Sequence, residues 1–470
     1  MRTLTLAEDQ LLSLARLRDD PAVLPLLWRA RLSRNKAFLS ALLWDEHGSE
    51  VAEAFAVLVQ AQRQSPETVD RVLLHPRFGA WAAVCAARGA SHPASRPAAH
   101  LAAHLGAFAA AAAIAADLDC AVTVPVVSGA LVLPGIGAWS GLPGDHAVVR
   151  RDHGSLVVEP LRGPSRRRGD ASWRDLRTLT AVVGRATVTV EFDDLPATPA
   201  AWPWQVAGPG ALPGPGALPG PDALPNPDAL PGPAARPSVP ASAAEYRRWR
   251  IRFAAGLALV GTAVPALAAP LAGGIRAAVP LGDPGDRSSA ATLADAFGAW
   301  AMTTPGDRFT AAVGVLHEFQ HSKLSGVAEL VPLIETDGPA DLDSPWRSEP
   351  RPASGLLHGA YAHAAVAQLW LRAAAALGGR SREEALGHGA TACAQTLTAG
   401  RDLLASGRLT PVGQRFTAAV VDAVEALRPR VPRPAVRSAA WQPLTQQSPL
   451  TPPLSPPLTP PHTQRSEHSS

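Results

Sequence analysis

Cysteine, lysine and aromatic residues are all scarce in this chain. Its 470 residues hold three Cys and 5% aromatics, and of the 43 basic residues only Lys36 and Lys323 are lysines. Cys85, Cys120 and Cys393 are far apart and form no CxxC pair. That spacing suggests neither a disulfide framework nor a thiolate metal site, and it fits a reducing cytosol. Abundant Ala, Arg and Pro with almost no Lys is what a GC-rich coding sequence produces. The net charge of +3 and pI near 9.0 therefore give no argument for a nucleic-acid partner, and none is expected. The N-terminus lacks the uninterrupted apolar run of a secretory segment, since Glu8 and Asp9 fall within it, so a cytoplasmic location is expected. Residues 253–275 are uncharged and long enough to span a bilayer, but Pro265, Pro270, several glycines and a dominance of Ala break the run. We expect a buried, broken helix there and no membrane association.

With 47% hydrophobic and 18% charged residues the chain can bury a sizeable core, although 47 Pro and 39 Gly show that part of it does not pack. Residues 1–119 carry apolar positions at helical spacing, such as Leu24, Leu27, Trp28 and Leu32, and read as a helical region. Residues 120–204 change texture. Val122, Val124 and Val126 alternate, Asp152-His153-Gly154 sits between two short apolar runs like a hairpin turn, and ATVTVEF (186–192) has the period of a half-buried strand. This stretch reads as a small, mostly antiparallel β unit, with the basic run around Arg166, Arg167 and Arg168 as a solvated loop. Residues 205–240 hold four units of period six (GALPGP, GALPGP, DALPNP, DALPGP), a spacer with too few donors and too little apolar surface to pack. Helical spacing resumes over 241–430. A Pro-rich tail, 431–470, contains LTPPLSPPLTPP and has polyproline II character. The fold class expected is α+β, mainly α-helical.

The chemistry concentrates in DRFTAAVGVLHEFQHSKLSGVAEL (307–330). Pro305-Gly306-Asp307 is a helix start, and the apolar residues that follow lie on more than one side of the helix, which implies burial. His317-Glu318-Phe319-Gln320-His321 is an HExxH motif. Residues four apart share a helical face, so both imidazoles can reach one metal ion, with Glu318 about a quarter turn away. Burying two imidazoles and a carboxylate is costly without a partner, and a metal is the simplest common one. A third ligand must come from elsewhere. Glu329, His358 and His363 are the candidates. His358 is preferred because it follows the Pro-rich turn PWRSEPRP (345–352), which lets a second helix pack back on the first.

The combination LHEFQHSKL and WRSEPRPASGLLHGAYAH (346–363) resembles the HExxH-type peptide β-hydroxylase family of actinobacterial peptide natural-product clusters. The resemblance implies an Fe(II)- and 2-oxoglutarate-dependent dioxygenase that hydroxylates β-carbons in a ribosomally made precursor peptide. His317, His321 and His358 would then hold iron, leaving positions for 2-oxoglutarate and O₂. Arg351, or else Arg347, would fork onto the cosubstrate's distal carboxylate, and Glu318 would orient a ligand or water. The alternative is a zinc metallopeptidase, in which Glu318 acts as general base on a metal-bound water. The HxxGxxH extension familiar from one large class of such peptidases is missing after His321.

Overall fold

Twelve α-helices and twelve short strands make up the described residues of the computed structural model, which are 4–18, 20–44, 49–91, 101–196, 241–282, 290–346 and 350–430. The six-residue repeat, the Pro-rich tail and Arg347 lie outside the described residues. The mainly helical α+β class expected from the sequence is what the fold is.

The first core forms where α2 (Val23–Trp44), α3 (Ser49–Gln64), α4 (Pro66–Leu73), α5 (Pro76–Ser91) and α6 (Leu105–Ala115) meet two small sheets. In α6 the residues from Leu105 to Ala113 are all buried. Its alanines suit close approach to β1 (Cys120–Pro125), and Gly106 allows it, because a Cβ there would sit 2.2 Å from the Thr123 carbonyl oxygen. One sheet has the order β1, β4 (His146–Asp152), β5 (Ser155–Pro160), β6 (Arg166–Arg167); the other contains β2 (Leu131–Leu133), β3 (Gly137–Trp139) and β7 (Trp173–Asp175). The hairpin read from Asp152-His153-Gly154 joins β4 to β5. His153 and Gly154 both take positive φ, 44° and 81°, as a two-residue turn matched to strand twist requires. The basic run is not simply a loop: Arg166 and Arg167 form an edge strand on β5, and Arg168 pairs with Asp175.

Residues 177–192 belong to a second core. β8 (Arg177–Val183) and β9 (Ala186–Phe192) form a hairpin, and residues 186–192 show the alternating burial that their sequence implied. They extend a five-stranded sheet, β11 (Ala290–Ala291), β12 (Ala299–Met302), β10 (Ala277–Pro280), β9, β8, in which β10 runs parallel to both β9 and β12. β10 and β12 are buried at every position, so they carry no alternation for a sequence reading to find. The chain re-enters this core at Ser242, whose hydroxyl accepts from the Glu245 amide in a capping box that starts α7 (Ala243–Ala263). The uncharged run 253–275 breaks at Val264, before Pro265 opens α8 (Pro265–Gly274). No described helix is long and apolar enough to cross a membrane.

Four helices complete the second core: α9 (Arg308–Ala328), α10 (Ala353–Ala373), α11 (Gly379–Ala405) and α12 (Pro411–Glu425). The N-terminal α1 (Glu8–Ala15) packs on α12 and joins this core, with Glu8 paired to Arg415. The two cores are tied by Arg77, which forks onto Asp193 at 2.6 and 2.5 Å with both side chains 1% exposed, and by His75 with Glu191 at 2.7 Å.

Candidate metal centre

α9 begins as its sequence predicts. Asp307 accepts from the Thr310 amide at 2.7 Å, which fixes the register of every residue that follows. α9 then crosses α7 at Gly256, where a Cβ would come within 2.8 Å of Ala311 and 2.9 Å of the Ala312 nitrogen. Within the motif Glu318 is buried, while His317 and His321 are half-buried.

His317 and His321 stand on one face of α9 with their Nε2 atoms 2.9 Å apart and their rings at 80°. Two nitrogens bound at right angles to one ion, each about 2.1 Å from it, would be about 3.0 Å apart. The pair therefore has the spacing of two adjacent ligands. α10 runs antiparallel to α9 and brings two more imidazoles to it. His363 meets His317 edge to face, with ring centroids 4.9 Å apart, and His358 stacks on His321 at 5.7 Å.

The two α10 histidines are held differently. His363 donates from Nδ1 to the Gly359 carbonyl at 2.9 Å, which leaves Nε2 as the nitrogen with a lone pair, the arrangement that metal-ligating imidazoles favour. Its ring lies flat on Trp346, centroids 4.5 Å apart. His358 is buried, and burial pushes its pKa down to about 4, so it is neutral at pH 7; its Nδ1 has no hydrogen-bond partner. A neutral, buried imidazole with an unsatisfied nitrogen is chemically suited to a metal. The four rings do not close into a preformed triad. Among the described residues, the group of three His, Cys, Asp or Glu with ligand atoms all within 4.8 Å of one another is Asp119, Asp152 and His153, which are exposed. The His317–His321 pair is thus a two-nitrogen nucleus with a third donor on each side.

The other sequence candidates go to different places. Glu318 is buried, accepts from the Thr292 hydroxyl at 2.6 Å, and lines a narrow gap with Ile275, Gly298, Trp300 and Ser322 on the sheet side of α9. Glu329 is committed to α2, at 3.0 Å from Arg31 and 2.6 Å from Arg34, and is not brought to the histidines. Arg351 pairs with Leu342 through both its backbone groups, and its stem lies over Gly355 in the first turn of α10, one turn before His358. Trp346, Thr292, Gln320 and Lys323 were not found by motif reading. A lysine and a glutamine inside an apolar helix, in a chain with two lysines, were the available signal for the last two.

No family model matches the chain, and no curated protein matches it.

Proposed function

We propose that the chain is an Fe(II)- and 2-oxoglutarate-dependent oxygenase that hydroxylates the β-carbon of residues in a ribosomally made precursor peptide, acting in the cytoplasm. The observation that carries the metal site is the pair of Nε2 atoms 2.9 Å apart on a buried helix, flanked by two further imidazoles. The reaction and substrate class rest on the likeness of LHEFQHSKL and WRSEPRPASGLLHGAYAH to the peptide β-hydroxylases.

His317 and His321 hold the metal, and α10 supplies the third nitrogen. His363 is the better poised donor because its Nδ1 is already tied to a carbonyl; His358, preferred from sequence alone, lies beside it. Iron with 2-oxoglutarate and O₂ supplies the oxidising power needed to functionalise an unactivated C–H bond. The protein's own contribution is to keep water away and to fix the imidazoles. Trp346 and Gly359 hold His363, and α9, whose two motif imidazoles are half-buried, packs against α7 and α10. Arg351, two residues before α10, places its stem over Gly355 in the first turn of that helix, and a guanidinium is the side chain that forks onto a carboxylate.

The bond between Glu318 and Thr292 favours this reading over a zinc peptidase, in which that carboxylate must activate a metal-bound water. Incubation of the full chain with Fe(II), 2-oxoglutarate, O₂ and a candidate precursor peptide should give succinate and a peptide heavier by one oxygen. Glu318→Gln should retain part of this turnover, and His317→Ala should lose the metal by elemental analysis. Peptide cleavage that is abolished by Glu318→Gln, with no succinate formed, would replace the oxygenase by the peptidase.

A further inference from the structure

The sheet side of α9 is polar at two buried positions, Glu318 at 4% exposure and Ser322 at 3%. The Thr292 hydroxyl, just past β11, donates to Glu318 Oε2 at 2.6 Å, and the carbonyl oxygen of the same residue is a second acceptor 3.2 Å away. Ser322 Oγ accepts from the amide of Gly298, just before β12, at 3.0 Å. Gly298 takes φ 85°, and a Cβ there would stand 2.8 Å from the Gly274 carbonyl oxygen, so the direction of that amide depends on glycine. The link from β11 to β12 thus grips α9 at both of its ends.

Glu318 and Ser322, four residues apart, share one flank of α9; His317 and His321 share another, about 100° round the axis. Whatever turns one flank turns the other. A rotation of α9 by about 10° would carry an imidazole nitrogen, roughly 5–6 Å from the axis, through about 1 Å. The 2.9 Å spacing within the pair would survive it, but both rings would shift against His363 and His358 on α10. Apolar burial is non-directional and fixes such an angle only loosely, whereas hydrogen bonds weaken steeply as their angles close. We propose that Thr292 and Ser322 are positioning residues: the bonds Thr292–Glu318 and Ser322–Gly298 set the rotation of α9, and with it the alignment of the HExxH imidazoles with the third donor on α10. Glu318 is then the handle by which the sheet holds the helix. This role rests on the metal centre of the proposed function and not on its oxygenase chemistry.

Titration of the full chain with Co(II) tests it, because the visible bands of the ion report coordination geometry and their growth reports affinity. Thr292→Val keeps the shape and removes the hydroxyl. It should shift the bands and weaken Co(II) binding by roughly 10-fold, the low end of what losing a support outside the ligand shell costs. Thr292→Ser should restore both. Glu318→Gln, whose amide oxygen still accepts from Thr292, should stay near wild type, and Thr292→Val should add little to the loss caused by Glu318→Ala. Ser322→Ala should act in the same direction as Thr292→Val. A Thr292→Val protein that melts at a lower temperature yet keeps wild-type bands and affinity overturns the role, because a purely structural bond would do only that. Equal impairment of Thr292→Ser and Thr292→Val also overturns it. Should Thr292→Val fail to fold, Ser322→Ala decides by the same two readings. If wild type binds Co(II) but its Fe(II) form makes no succinate from 2-oxoglutarate, the oxygenase chemistry falls, and shifted bands in Thr292→Val still support the role. Wild type that binds no Co(II) overturns the metal centre and the role together.

Discussion

Substituting Gly359 by Ala tests how the candidate centre is held. A Cβ at this position would lie 2.0 Å from Cζ2 of Trp346 and 2.5 Å from its Cε2. An indole is rigid, so the ring must retreat by about 1.4 Å to restore the 3.4 Å at which ordinary contact begins. Trp346 is the surface on which His363 lies, and the carbonyl of residue 359 is the acceptor for its Nδ1. Both supports of one imidazole therefore move together. Overpacking of this size costs about 1–3 kcal/mol, while replacing Gly by Ala inside a helix returns about 1 kcal/mol. Net destabilisation should be about 0–2 kcal/mol, which for a protein of this size lowers the melting temperature by less than about 8 °C. Metal occupancy should fall much further, because a ligand displaced by about 1 Å no longer reaches the ion. Elemental analysis after dialysis, with calorimetry on the same sample, reads both quantities. Trp346→Ala should remove most of the extra cost of Gly359→Ala, giving a coupling of about 0.5–3 kcal/mol between the two sites. Wild-type metal content in Gly359→Ala, or strict additivity with Trp346→Ala, would refute the reasoning.

Two further outcomes concern the frame around the centre. Asp193→Ala leaves the Arg77 guanidinium buried without its carboxylate and should destabilise the junction of the two cores by about 3–5 kcal/mol in urea unfolding; a loss under about 1 kcal/mol would show that the pair does not tie the cores. The excursion between Asp194 and Ala241 begins and ends at one carboxylate, since Asp194 accepts from Arg177 and from the Ala241 amide, the latter at 3.1 Å. Replacing the 45 residues 196–240 by about six, with Leu195 kept, should preserve metal content and raise stability by about 1–2 kcal/mol through the shorter connection; a drop in melting temperature would mean that the removed residues contribute to the stability of the folded cores.

Much of the fold is legible residue by residue. The start of α9 at Asp307, the β4–β5 turn, the strand 186–192 and the break at Val264 each follow from chemistry contained within a few neighbouring residues: a carboxylate that caps an amide, a turn that needs positive φ, a period of two, a proline that cannot continue a helix. The strands β10 and β12 were not legible, because a segment buried on both faces has no polar side to mark its period. The same division applies to the candidate site.

By itself the sequence determines that His317 and His321 share a face, since helical periodicity fixes neighbours four residues apart. It does not determine which distant groups meet them. Tertiary packing puts His363 beside His317 and His358 beside His321, sends Glu329 to the arginines of α2, turns Glu318 toward Thr292, and buries Gln320 and Lys323. Those choices depend on the crossing of helices separated in the chain by a Pro-rich turn, and a crossing is set by the shapes of both surfaces at once, which no local pattern records.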